Sequence, residues 1–111
     1  MMKYELVKND CVRVYTGYQS ILLFRIKALI DLMCVDSSTG NIILIERGDL
    51  GGYVQTEDNL SQVGTCWIHE NAIVWGKAKV LEHAQILPGA EVGNDAVIRG
   101  CATVRRNAFA K

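Results

Sequence analysis

The chain has 111 residues, half of them hydrophobic, and its 12 basic and 12 acidic residues cancel to a formal net charge of zero. This length suits one domain with a modest core, and this apolar content excludes a disordered chain. Without a basic excess, nucleic acid is not expected as a partner. Without an acidic excess, a basic partner is not expected either.

The cysteines and the apolar segments bear on cofactors and compartment. The four cysteines, Cys11, Cys34, Cys66 and Cys101, include no pair at C-x-x-C spacing, so we expect no metal and no cofactor. The first residues lack the apolar run of a secretory signal, and the most apolar segment, 21–34, is interrupted by charged residues. We therefore expect a cytoplasmic protein with reduced thiols and no membrane partner.

Residues 1–49 are predicted to form an antiparallel β cap. Strand formers on both sides of a Lys-Asn-Asp turn at 8–10 predict a hairpin over residues 1–18. A turn is expected at 37–41, where Ser, Thr, Gly and Asn cluster, and a short strand is expected at 42–45.

Two secondary structures are compatible with the middle of this cap. Apolar residues that alternate with a period of two favour one long strand over 19–34, while good helix formers at 28–33 leave a helix open for residues 21–34. Three glycines within residues 48–52 require special backbone angles or close chain approach, which marks the junction with the next unit.

The stretch 66–110 repeats with a period of six. Each unit has a small residue followed, two positions later, by an aliphatic one. The small positions are Cys66, Ala72, Ala78, Ala84, Ala90, Ala96, Ala102 and Ala108, and the second positions are Ile68, Val74, Val80, Ile86, Val92, Ile98, Val104 and Ala110. Counting further back in sixes places Leu50, Thr56 and Gln62 at aliphatic positions, so we expect the register to begin near residue 50.

A period of six fits neither the helical period of about 3.6 residues nor a simple alternating strand. It fits a short strand followed by a corner, because residues two apart on a strand face the same side. Stacked units of this kind predict a parallel β-helix.

The repeats resemble those of the hexapeptide-repeat left-handed β-helix family, and in particular short bacterial and phage members with Asn-Ala-x-Val units. The resemblance rests on Asn71-Ala72-Ile73-Val74, on looser versions at 95–98 and 107–110, and on the glycine-rich segment 48–54. It covers about residues 50–110. It implies triangular coils of eighteen residues, and hence a short left-handed parallel β-helix over 50–111 that forms one compact unit with the cap over 1–49.

Stacking at eighteen residues, as the resemblance implies, sorts the side chains into columns. The inward columns would be Leu50, Ile68, Ile86 and Val104; then Thr56, Val74, Val92 and Ala110; then Gln62, Val80 and Ile98. Asn71, Gly89 and Asn107 share a corner, where Asn and Gly tolerate the left-handed backbone that a turn requires.

The outward positions include several large apolar residues. A contiguous apolar surface marks an interaction site, so we predict a partner or oligomer interface. It consists of Trp67, Ile73, Trp75, Leu81, Val97 and Phe109. The alternative is that the N-terminal strands fold back over part of this surface.

Other side chains give weaker signals. His83, Cys101 and Thr65 stack at one corner, but two metal ligands are too few for a structural site, and we predict no catalytic or metal residues. Arg99, Arg105 and Arg106 form a small basic patch that is available for a phosphate or an acidic partner.

The sequence therefore predicts a non-enzymatic, self-associating protein-binding module. A dimer is favoured over other oligomers, because the last coil lacks a capping element and an end-to-end contact near Phe109 would cover it. The resemblance to phage proteins suggests one that binds and inhibits a host factor such as a defence nuclease complex. The alternatives are a minimal acyltransferase, with a histidine as general base, and a structural repeat protein of a phage particle.

Overall fold

The computed structural model describes residues 2–106 and 109–110, and the side chains of all of these except Thr16, Phe109 and Ala110. Within these ranges the chain is all-β, as predicted, with thirteen strands, a one-turn 3-10 helix at Glu57–Asn59 and no α-helix. None of the described residues belongs to a helix that is long and apolar enough to cross a membrane.

The first two strands form a long antiparallel hairpin, β1 (Tyr4–Thr16) and β2 (Gln19–Ala28). Its turn contains Gly17, with φ of +63°, so the predicted turn at 8–10 is wrong. Those residues instead form an irregularity within β1, where the pairing with β2 shifts register. The irregularity is anchored because Asp10 forms an ion pair with Arg25 at 2.9 Å.

The second hairpin is shorter and consists of β3 (Leu32–Asp36) and β4 (Asn41–Ile45). Its turn at Ser37–Gly40 agrees with the predicted turn, and the amide of Gly40 donates to the Asp36 carbonyl at 2.7 Å. Residues 19–34 are thus extended rather than helical, but they form two separate strands, which corrects the expectation of a single one.

Strand β5 (Leu50–Val54) connects the antiparallel and parallel parts of the structure. It pairs antiparallel with β2 on one side and parallel with β7 (Ile73–Val74) on the other. The glycines of β5 are required by close chain approach, as predicted. A Cβ on Gly52 would lie 2.3 Å from the Ala72 carbonyl oxygen, and one on Gly51 would lie 2.6 Å from the Ile68 carbonyl oxygen.

The remaining chain consists of two-residue strands separated by corners. They are β6 (Trp67–Ile68), β7, β8 (Lys79–Val80), β9 (Gln85–Ile86), β10 (Glu91–Val92), β11 (Val97–Ile98), β12 (Thr103–Val104) and β13 (Phe109–Ala110). Each pairs in parallel with the strand eighteen residues away, which gives three ladders: β7–β10–β13, β8–β11 and β6–β9–β12. The first ladder continues through β5 into β2 and β1, so this six-stranded sheet is mixed.

The predicted register is wrong before Ile68. Val54, not Thr56, pairs with Val74, and Leu60, not Gln62, bridges to Val80, so both offsets are twenty residues instead of eighteen. The two extra residues lie between Leu60 and Ile68. This offset places apolar side chains inside: Val54 and Leu60 are 0% and 1% exposed, whereas Leu50, the residue predicted to be inward, is 49% exposed.

The polar residues expected inside this first coil bind backbone groups instead. Thr56 and Asn59 form a capping box on the 3-10 helix. The buried Asn59 amide also donates to the carbonyls of Gly76 at 3.1 Å and Ala78 at 2.8 Å. Gln62 Oε1 accepts from the Lys3 amide at 2.7 Å, so this side chain fixes the start of the hairpin against the coil.

The corners use the left-handed backbone at regular intervals. Gly64, Glu82 and Gly100 lie eighteen residues apart and have φ of +82°, +60° and +67°, and Asn71 and Gly89 have φ of +64° and +81°. This confirms the predicted turn column at Asn71 and Gly89, while Asn107 lies outside the described residues. A side chain at these φ values costs free energy, which Gly avoids and Asn tolerates. Gly and Asn therefore suit four of these five corners, and Glu82 carries the cost at the fifth.

We predict that Leu60→Ala lowers the free energy of unfolding by about 2–5 kcal/mol, because it opens a cavity in the inward column. Leu50→Ala, the matched control at a half-exposed site, should change it by roughly 0.5 kcal/mol or less. Urea unfolding of both variants measures the difference, and equal effects would contradict the register with offsets of twenty.

Candidate protein-interaction surface

The two tryptophans of the predicted interface are covered by the N-terminal strands. Trp67 is 1% exposed and packs edge-to-face on Tyr4, with ring centroids 6.4 Å apart. Trp75 is 7% exposed and packs with Ile21 and Leu23 of β2. The expectation that these two side chains are surface-exposed is therefore wrong, and the alternative, that N-terminal strands cover them, is confirmed.

The rest of the predicted interface is divided. Ile73 is half-buried and packs against the cluster around Trp75, and Leu81 is half-buried. Val97 is 52% exposed on the β8–β11 ladder, beside Lys79. The backbone of Phe109 belongs to β13, but its side chain lies outside the described residues. These six residues do not form one contiguous exposed surface in the part of the chain that the structure describes.

The predicted basic patch is also divided. Arg105 donates to the Asp36 carboxylate at 2.9 Å and to the Ser38 hydroxyl, so it holds the β3–β4 hairpin. The Ser38 hydroxyl and then Arg105 lower the pKa of Asp36, which keeps this carboxylate charged. Arg99 and Arg106 are exposed and stay available for an acidic partner.

Among the side chains that the structure describes, the largest paired set of exposed apolar ones lies on the outer face of the β3–β4 hairpin. Met33 pairs with Leu44 and Val35 pairs with Ile42, so these four side chains form a block on one face. Their exposed fractions are 59%, 66%, 47% and 60%. We call these residues the hairpin face.

The opposite side of the hairpin is buried against the repeats. Leu32, Cys34 and Asp36 alternate with the exposed residues of β3 and are 7%, 0% and 6% exposed. The turn is fixed by the Ser37 hydroxyl, which donates to the Cys101 carbonyl and lies 3.0 Å from Thr103 Oγ1. The hairpin face is therefore presented on a fixed support.

Polar groups border the hairpin face at its open end. Asp31, Glu46 and Arg47 line a shallow depression of about 510 Å³ together with Met33 and Leu44. Asp31 accepts a hydrogen bond from the Arg47 amide at 2.7 Å. An apolar centre with a charged rim is the usual composition of a protein–protein contact.

The sequence prediction missed this surface because it placed residues 19–34 in one long strand and assigned no exposed face to the short strand at 42–45. The sequence nevertheless contains a signal for this exposed face. Leu32–Val35 and Ile42–Ile45 are each apolar at every position, although only one face of a two-stranded hairpin can pack on the coil. The other face must then be exposed or must meet a partner.

The two histidines have different surroundings. His69 is 5% exposed, and its Nε2 lies 2.8 Å from Oε1 of Gln85, itself fully buried. Burial lowers the pKa of His69 from its usual 6.5. His83 is exposed, with Nδ1 at 3.0 Å from Thr65 Oγ1.

The structure confirms that Thr65, His83 and Cys101 stack at one corner, as their spacing predicted. All three line one cavity of about 280 Å³ together with Val35 and Ser37. Within the described residues, no group of three His, Cys, Asp or Glu side chains is close enough to hold a metal ion.

Searches against protein-family models and against curated proteins found no match to this chain.

We predict that the protein becomes less stable as the pH is lowered, because His69 is buried. The unfolded chain protonates this histidine near pH 6.5, whereas the folded protein does so only at a lower pH. The unfolded state therefore binds more protons as the pH drops below about 7, and the free energy of unfolding decreases. Urea unfolding between pH 7.5 and 5 should show this slope, and His69→Asn should reduce it. His83→Asn controls for the loss of an exposed histidine, and an unchanged slope in His69→Asn would contradict the prediction.

Proposed function

We propose that this protein is a non-enzymatic protein-binding module that self-associates through the hairpin face. The observation that supports this most directly is the cross-strand block of Met33, Val35, Ile42 and Leu44, each about half exposed or more. A symmetric pair of copies would place the same surface against itself, which is how two-fold dimers associate.

The energetics are compatible with a reversible dimer. Full burial of one aliphatic side chain contributes roughly 1.5–3 kcal/mol, so eight half-exposed side chains contribute about 6–12 kcal/mol in total. This is comparable to the cost of association, about 4–15 kcal/mol. The polar rim must therefore contribute, and we expect dimers at micromolar concentrations or above.

For the repeats we propose the finer architecture that the resemblance implies, a short left-handed parallel β-helix. The eighteen-residue offsets of the parallel ladders and the positive φ at the corners support it. An end-to-end contact near Phe109 stays a prediction for a second interface.

The biological role that we propose is inhibition of a host factor by a cytoplasmic phage or prophage protein, for example by occupying a defence nuclease complex. This rests on the resemblance to short phage repeat proteins and on the hairpin face as a binding surface. Purification of the tagged protein from host lysate, with wild type and Leu44→Glu in parallel, tests it. A host protein retained equally by both would contradict binding through the hairpin face.

A second candidate, acyl transfer, is favoured by one feature. His83 and Cys101 share a cavity, and His83 is the histidine that a substrate can reach, since His69 is buried. Calorimetry with acetyl-CoA tests this candidate, because a lack of binding at millimolar ligand would exclude it.

The test of self-association uses two Leu→Glu variants. Leu44→Glu places a charge in the hairpin face, whereas Leu50→Glu changes an exposed leucine on β5, and the two leucines are 66% and 49% exposed. We expect wild type and Leu50→Glu to be dimers by light scattering at roughly 100 µM, a concentration that requires a net association free energy of about 5.5 kcal/mol. Leu44→Glu should be a monomer with unchanged circular dichroism.

Two results would overturn this proposal. A wild-type protein that stays monomeric at this concentration would exclude self-association. A dimeric Leu44→Glu variant would place the contact elsewhere on the molecule.

A further inference from the structure

A buried lysine lies against a cysteine at the start of the repeats. Lys3 precedes β1 and is 1% exposed, and Cys66 is fully buried. The Lys3 Nζ donates to the Cys66 carbonyl at 2.8 Å and to the Gly64 carbonyl at 3.3 Å, and it lies 3.3 Å from Cys66 Sγ. The amine thus donates a hydrogen bond directly to the sulfur, with no atom between them.

This amine has no carboxylate partner in the described part of the chain, where the ion pairs are Arg25–Asp10 and Arg105–Asp36. An unpaired ammonium is costly to bury, and a lysine in such a site shifts towards the neutral amine. Burial accordingly lowers the pKa of Lys3. A neutral amine has a free electron pair, which an ammonium lacks.

The thiol is not required by the packing of the coil. Cys66 occupies the small position of its six-residue unit, and the next four units place Ala72, Ala78, Ala84 and Ala90 there, all essentially buried. The Cys66 sulfur has only long contacts with carbonyl oxygens besides Lys3, at 3.6 Å to Val80 and 3.7 Å to Ser61 and Val63. The sulfur atom is therefore an addition at a site where a methyl group suffices.

We propose that Lys3 and Cys66 form a covalent nitrogen–oxygen–sulfur bridge when the protein is exposed to hydrogen peroxide. The first peroxide breaks the S–H bond and converts the thiol to a sulfenic acid, releasing one water. A second peroxide oxidises the sulfenic acid and the amine together. One N–H and one O–H bond break, an N–O bond forms, and the peroxide leaves as two waters.

Peroxide reaches this site through a local opening of the strand end, since Met2 beside Lys3 is 46% exposed.

Cys34 is the competing thiol. It is fully buried, and its Sγ lies 3.5 Å from the Thr65 carbonyl oxygen. Burial raises the pKa of Cys34 to about 11, which keeps it a thiol and slows its oxidation.

The bridge would join the start of the N-terminal hairpin to the first coil, 63 residues apart in sequence. A cross-link across so long a loop restricts the unfolded chain, so the oxidised protein should melt at a higher temperature. A thiol reductant should reverse the change.

Mass spectrometry of the full-length protein tests the proposal. The exposed Cys11 and Cys101 are first alkylated under native conditions, and peroxide is then added. The bridge gains one oxygen and loses two hydrogens, about +14 Da, whereas a sulfenic acid adds about 16 Da and a disulfide loses about 2 Da. After trypsin, peptides 1–8 and 48–77 should appear linked, and the second contains Cys66 as its sole cysteine.

Matched variants assign the atoms. Cys66→Ala, which introduces the residue of the following units, and Lys3→Met, which keeps the side-chain length, should both lose the +14 Da product. Cys34→Ala should retain it. A disulfide between Cys34 and Cys66, a terminal oxidation of Cys66 without the linked peptide, or no reaction at Cys66 in the wild-type protein would each overturn the proposal.

Discussion

The double pairing of β5 is the interaction on which the rest of the structure depends. One edge of this strand continues the antiparallel hairpin, and the other starts the parallel ladder. Gly51 and Gly52 make this possible, since a side chain on either would collide with the carbonyls of the first coil. The same pairing sets where the long hairpin lies, and hence which faces of the coil are covered.

The repeats could be predicted where one spacing rule holds. From Ile68 to Val104 every inward residue is six positions from the next, and the structure pairs the strands accordingly. The segment before Ile68 could not be predicted. Cys66 continues the six-residue spacing of the small residues, but the inward aliphatic residues Leu60 and Ile68 are eight positions apart instead of six. The six-residue period alone allows either Val54 and Leu60 or Thr56 and Gln62 to point inward. The apolar pair is the one that is buried.

The candidate surface shows a different limit of sequence reasoning. A strand pattern gives the side on which a residue lies, but not which other segment covers that side. Trp67 and Trp75 are outward by pattern and buried by the N-terminal strands. Met33 and Leu44 lie in segments that were predicted only to be extended, and they are exposed. Long-range packing decides each case. Trp75 packs against Ile21, 54 positions earlier, and Arg105 binds Asp36, 69 positions earlier.

The attachment of the β3–β4 hairpin has an evolutionary consequence. Among the described residues, its two strands form a separate two-stranded sheet, and side-chain hydrogen bonds hold it on the repeats. Its outer residues are therefore free of the six-residue rule and can diversify while the corners stay fixed. Conversely, insertion of a further eighteen-residue coil beyond residue 106 would lengthen the protein without displacing this face. The outer residues of this hairpin and the length of the repeats can then change independently of each other.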